Sequence, residues 1–214
     1  MHSRKLAGYS LPEMLIALAV LMLIALISVF GLNSASHSDE LRTAARQISA
    51  DIRSAQSRAL EAQNVKACST GVKQAVCENL NPGCISACQD AIPNAFGVYM
   101  MLASSTYQTF ADINPATPDY MLTDQGEVIM TRSFLGLSSD VKVDSITSFR
   151  VSGGSLQPWV DASFTRQSGT THIIDPLVAT LGEPSMARIV LRHAKSGQTI
   201  TIEVNRVTGR VSAY

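Results

Sequence analysis

The sequence predicts an α+β fold: one long N-terminal helix, transmembrane in its first half and amphipathic in its second, packed on an antiparallel β-sheet head. Three observations carry this. Residues 14–32 contain no charged side chain. Leu41, Ala45, Ile48, Ile52, Ala55 and Ala59 then recur at alternating spacings of four and three, which is one stripe of a helix. Near the C-terminus Ile200, Ile202 and Val204 alternate with Thr199, Thr201 and Glu203, the period of a half-buried antiparallel strand.

The chain has 214 residues, enough for one ordinary domain and an appendage. Charged residues make up 16%, well below the ~25% usual in soluble domains. The deficit is local, because between Glu13 and Asp39 the only titratable side chain is His37. The formal net charge is zero, so the chain as a whole offers no electrostatic case for nucleic acid.

The run 14–32 would span about 28 Å as a helix, close to the ~30 Å hydrocarbon core of a bilayer. His2, Arg4 and Lys5 precede it, and Asp39 and Glu40 follow it. That asymmetry places the N-terminus in the cytoplasm and the rest outside. A secretory signal is one rival, but its apolar region is usually ~7–15 residues and ends at a small-x-small site. The stretch 31–36, Gly-Leu-Asn-Ser-Ala-Ser, is only a fair match. A plain single-pass anchor is the second rival. A buried core helix is the third, though one rarely stays apolar on every face at this length.

Glu13 separates these readings. A carboxylate at the head of an apolar helix is costly to desolvate and needs a partner or a reason. It follows Gly8-Tyr9-Ser10-Leu11-Pro12. Basic leader, Gly8, aromatic Tyr9, small Ser10, Glu13 and then an apolar helix: this pattern resembles the class III signal of type IV prepilins and pseudopilins. The resemblance implies a leader of residues 1–8, cut between Gly8 and Tyr9 by a prepilin peptidase/methyltransferase that methylates Tyr9. It implies the pilin fold, and an assembly contact in which Glu13 neutralises the α-ammonium of a neighbouring subunit. The aromatic is usually Phe in that family, and Tyr9 departs from it. Pro12 falls in the first turn, where its missing N–H costs nothing.

The expected helix covers 9–63, with a transmembrane half about 14–32 and an amphipathic half about 38–63. Arg42, Arg46, Asp51, Arg53 and Arg58 lie off the apolar stripe, and Gly31 is a soft point. The segment 49–59, SADIRSAQSRA, resembles the corresponding stretch of GspH/FimT-like minor pilins and pseudopilins. Residues 64–95 show no period and read as a loop holding Cys68, Cys77, Cys84 and Cys88. In an oxidising compartment two disulfides are expected, and four cysteines allow three connectivities. Cys68–Cys77 with Cys84–Cys88 is the sequential choice. A zinc site is the rival, and no C-x2-C pair is present.

Residues 96–214 read as a β-rich extracytoplasmic head. Runs at 96–102, 107–111, 127–137, 141–143, 145–151 and 159–165 are β-prone, with Gly153-Gly154 and Ser168-Gly169 as breaks. Strands at 185–193 and 198–204 flank Lys195-Ser196-Gly197. Val207-Thr208-Gly209-Arg210-Val211 turns into a last short strand and resembles the closing segment of many GspH/FimT-like heads.

Asp112, Asn114 and Asp119 are oxygen donors within one loop, but their spacing is not an EF-hand and two prolines lie among them. An Asx/Pro turn is the simpler reading. Arg188, Arg192, Lys195, Arg206 and Arg210 face a single acid, Glu203, in the segment 188–210. A basic hairpin of this kind is a candidate DNA contact. No nucleophile motif, phosphate loop or metal-ligand pair occurs, so no catalytic residue, metal or cofactor is expected. The resemblance therefore implies a non-enzymatic structural subunit, a minor pilin or pseudopilin of a type IV pilus or type II secretion-like filament. Its expected location is the inner (cytoplasmic) membrane, single-pass, before assembly. Its expected partners are the peptidase, other pilin subunits and an inner-membrane assembly platform. The alternative is a competence-type minor pilin that binds DNA through the C-terminal hairpin.

Overall fold

The computed structural model describes residues 11–69, 74–77, 87–113, 120–122, 125–134 and 140–214, with backbone alone over 27–35. The chain divides into two compact units, Met1–Asp39 and Glu40–Tyr214. Helix α1 runs Leu11–Leu60, so residues up to 39 belong to the first unit and 40–60 to the second.

In the second unit the helix is followed almost entirely by strands. β1 (Val65–Ser69), β2 (Gln74–Val76) and β3 (Gln89–Ala91) form a small sheet of order β2-β1-β3. β4 (Ala95–Met101), β5 (Thr106–Asp112), β6 (Val128–Ser133), β9 (Trp159–Thr165) and β10 (Thr171–Ile174) form a second, of order β10-β9-β4-β5-β6. β7 (Val141–Arg150), β8 (Gly153–Leu156), β11 (Met186–His193), β12 (Thr199–Asn205) and β13 (Val211–Ala213) form a third, of order β13-β12-β11-β7-β8. All pairings are antiparallel. A short helix α2 (Val178–Leu181) joins β10 to β11.

These findings correct the expected fold class. The helix α1 is long, as expected, but one antiparallel sheet gives way to three, and the described residues are mostly β, 44% strand against 29% helix. Among the described residues no helix is long and apolar enough to cross a membrane. The transmembrane half over 14–32 and the single-pass inner-membrane location are corrected on the same ground. Part of that span, 27–32, lies outside the described side chains, as does Gly31.

Three local differences have clear causes. The segment 64–95 lacks period because its strands are three to five residues long, too short for an alternating signal. The two runs at 141–143 and 145–151 are one strand, β7, interrupted in register. Val190 pairs with Ser145 and Leu191 with Val143, so Asp144 is the extra residue of a β-bulge. Gly153-Gly154, read as a break, starts β8, an edge strand that tolerates glycine.

The apolar stripe of α1 does what its spacing predicts. Leu41, Ala45, Ile48, Ile52, Ala55 and Ala59 are all buried, and Ala44 joins them. They share one continuous core with Phe96, Val98 and Phe164 of the second sheet and Ile146, Ile189 and Ile202 of the third. The alternation in β11 and β12 holds too: Ala187, Ile189, Leu191, Ile202 and Val204 are buried between more exposed neighbours, while Ile200 at the start of β12 is half-buried. Small residues set the approach distances. A Cβ on Gly97 in β4 would lie 2.5 Å from the Phe110 ring, so the ring packs directly on backbone there.

Candidate functional site

Glu13 lies in the first turn of α1, where a carboxylate favours the N-terminal end of the helix dipole. Around and after it every side chain from 11 to 26 is exposed. Eleven of these are large hydrophobics, among them Met14, Leu15, Ile16, Leu21, Met22 and Leu23, each about 60% exposed. Gly8 and Tyr9 lie outside the described residues.

Cys77 is bonded to Cys88. This replaces the sequential pairing Cys68–Cys77. The reason is the sheet order β2-β1-β3. Ala67 of β1 is opposite Val76 of β2 on one side and Gln89 of β3 on the other. Cys77 and Cys88 each sit one residue beyond those partners, which brings their Cα atoms to 6.3 Å. Cys68 is also disulfide-bonded, and Cys84 lies outside the described residues.

The cations of the C-terminal hairpin are brought to one sheet but not to one free patch. The Arg188 guanidinium is 2.7 Å from Glu203 and lies over the Phe149 ring. Arg192 is 3.6 Å from Asp144, the bulge residue. Lys195 is 2.7 Å from Asp140, a hydrogen bond that pushes its ammonium pKa above the ordinary value. Arg206 is 3.2 Å from Glu183, and Arg210 is exposed. Four of the five predicted phosphate contacts thus face carboxylates, three of them outside the hairpin and invisible in its local composition. On Glu203, a hydrogen bond from Tyr214 and then the Arg188 contact hold the carboxyl below its usual value.

Of the three oxygen donors Asp112, Asn114 and Asp119, Asp112 is fully buried and accepts from the Tyr120 backbone N–H at 3.3 Å and from the Asn94 amide at 3.4 Å. Those bonds are structural, consistent with a turn. Asn114 and Asp119 lie outside the described residues.

Sequence reasoning missed a polar group at the end of β7 and β10. Asp175 is fully buried and meets Arg150, whose side chain is 6% exposed, at 2.5 Å. Asp175 Oδ1 also accepts the Leu177 N–H at 3.0 Å, an Asx turn. Beside them, Glu183 accepts from His172 Nδ1 at 2.9 Å and from Arg206 at 3.2 Å. The carboxylate requires a proton on Nδ1. In the neutral ring Nε2 then accepts from the Thr165 hydroxyl, 3.1 Å away. The Tyr120 ring stacks on the imidazole at 4.5 Å. This hydroxyl–imidazole–carboxylate line ties the two strands of a hairpin together, because Thr165 ends β9 and His172 lies in β10. The signal in the sequence was Asp175-Pro176 and Glu183-Pro184. Proline keeps the preceding residue extended, so neither acid sits within a helix.

Comparison with protein-family models, curated proteins and solved structures finds no match to the chain.

Proposed function

We propose that the protein is a structural subunit of a type IV pilus or type II secretion-like filament, a minor pilin or pseudopilin, assembled through its N-terminal helix. The observation that carries this reading is the head of α1: Glu13 in the first turn, then eleven large apolar side chains exposed between residues 11 and 26. Such a surface must be covered by something. Covering half-exposed side chains of this size is worth on the order of 1 kcal/mol each. Eleven of them supply about 10 kcal/mol against the entropy of association. Helices of neighbouring copies are the natural cover, since an apolar helix packs ridges into grooves on others like it. Glu13 then sets the register by meeting a neighbour's α-ammonium, a pair that specifies alignment more than it stabilises.

The leader carries the rest of the reading. A prepilin peptidase cuts between Gly8 and Tyr9 and methylates Tyr9, and other pilin-like subunits are the partners. The body of three sheets is displayed on the filament, its short-stranded sheet held by disulfide.

The test is intact mass and N-terminal sequencing of the chain from its native source, with filament recovery from the same cells. A chain starting at N-methylated Tyr9 and co-sedimenting with filaments is the expected result. Glu13→Ala and Leu18→Arg should each reduce incorporation at least tenfold while leaving processing intact. A chain that still begins at Met1, or that never enters a filament, overturns the proposal.

A further inference from the structure

Helix α1 carries a second row beside its apolar stripe. Arg42, Arg46 and Arg53 are all exposed. At 3.6 residues per turn they fall within roughly 40° of one another and cover about 16 Å of the helix. Thr43, Ala50 and Ser54, also exposed, form a shelf of small side chains next to them. Arg53 Nη2 donates to the Val211 carbonyl at 3.3 Å, which seats the β12–β13 turn against the row. That turn brings the exposed Arg210 to its end.

These four cations differ from those of the β11–β12 hairpin. Arg188, Arg192, Lys195 and Arg206 each face a carboxylate. Among the described residues no carboxylate pairs with Arg42, Arg46, Arg53 or Arg210. The acids of α1 are used elsewhere: Asp51 meets Tyr107 and Arg132, and Glu40 meets His193. In the sequence Asp39 precedes the row and Glu61 follows it. A net charge of zero therefore conceals a local positive strip.

The neighbours of the row decide what it fits. A protein partner is met through an apolar interface core. A helix on a lipid surface needs apolar side chains beneath its cations. Among the exposed residues of 42–57 the only apolar one is Ala50, so this face has neither. Single-stranded nucleic acid is held by aromatic stacking, and no aromatic lies in 42–57. Unpaired guanidinium forks beside small hydroxyl residues suit phosphate oxygens, and the small shelf lets a backbone approach closely. We infer that this face of α1, with Arg210, is a binding surface for double-stranded DNA, held through its phosphates without sequence preference. A duplex presents one negative charge per ~1.7 Å of axis, enough to meet every cation along the row. The surface is independent of the assembly proposed above, which uses the head of the same helix.

The test is fluorescence anisotropy of the full chain with a labelled duplex across a salt series. A Kd of roughly 1–100 µM is expected near physiological salt. Four phosphate contacts predict a slope of log K against log salt of about −3.6. A duplex of unrelated sequence should bind equally well. Arg46→Gln and Arg53→Gln should each make the slope shallower by about one. Arg42→Gln, Arg46→Gln and Arg53→Gln together should abolish binding. Ala50→Glu, which adds an acid to the exposed shelf, should weaken it at least tenfold and does so without removing an arginine. Arg188→Gln, in the hairpin, should leave it unchanged. Unlabelled duplex should compete better than phosphatidylglycerol vesicles or polyglutamate at equal charge. The inference is overturned by no saturable binding at low salt, by a triple variant or an Ala50→Glu variant that binds like the parent, or by stronger competition from the vesicles or polyglutamate.

Discussion

Replacing Asp175 by Asn removes one charge and little else. Asn keeps an oxygen where Asp175 Oδ1 accepts from Leu177 at 3.0 Å and from Arg150 at 2.5 Å. The guanidinium stays behind, its side chain 6% exposed, with no carboxylate against it. Removing one partner of a buried pair costs about 3–5 kcal/mol, because the remaining charge is left desolvated. Since the acceptor survives, Asp175→Asn belongs at the low end, about 3 kcal/mol, and Asp175→Ala toward 5 kcal/mol. For a unit of this size each kcal/mol lowers Tm by roughly 2–4 °C, so Asp175→Asn should melt about 10 °C early. Differential scanning calorimetry of the full chain reads this directly. Arg150→Met alone should cost a similar amount. Combining it with Asp175→Leu should recover much of the loss, because apolar replacements of a buried pair are often neutral. A loss under about 1 kcal/mol for Asp175→Asn, or strict additivity in the double variant, would refute the reasoning and mean that water reaches the pair.

Opening the Cys77–Cys88 bond, which spans 11 residues, by Cys77→Ala should cost about 3 kcal/mol through loop-closure entropy, seen as a lower denaturant midpoint. Ile48→Ala, at a fully buried position where α1 meets the sheets, should cost about 2–5 kcal/mol, checked by urea unfolding. Tyr107 donates to Asp51 at 2.6 Å, and burial together with that contact pushes its phenol well above the usual value. Its folded pKa exceeds its unfolded one, so this contribution is fully present below about pH 10 and is lost as the pH climbs toward the folded pKa. Ultraviolet titration should find that Tyr107 is still protonated at pH 11, so Tyr107→Phe should lower the count of tyrosines protonated there by one. Glu203 has the opposite sign: its depressed carboxyl contributes stability above about pH 4.5 that fades as the pH falls through its folded value. Glu203→Gln should therefore flatten the acid limb of a stability–pH curve, and an unchanged limb would count against the Tyr214 and Arg188 contacts.

What could be read from the chain alone was whatever has a period. The stripe Leu41 to Ala59 is long enough for its spacing to average over local noise, and each of its six residues is buried. The alternation of Ile200, Ile202 and Val204 marked a strand whose partner ran just before it, so β11 and β12 pair across a short turn. Glu13 stood out because one charge at the start of an apolar run is conspicuous without any structure.

The division of the strands into three sheets had no such trace. It depends on which strands pair over long separations, as β4 does with β9, and periodicity within a strand says nothing about its neighbour. The Cys77–Cys88 bond was hidden for the same reason, since β1 had to lie between β2 and β3 before the two sulfurs could meet. Local composition at the C-terminal hairpin did not show Asp140, Asp144 and Glu183, which arrive from other parts of the chain to face Lys195, Arg192 and Arg206. Local hydrophobic period therefore determined the helix stripe and the closing strands. The sheet division and the buried Arg150–Asp175 pair were decided by long-range pairing, which ordering of the whole chain alone brings about.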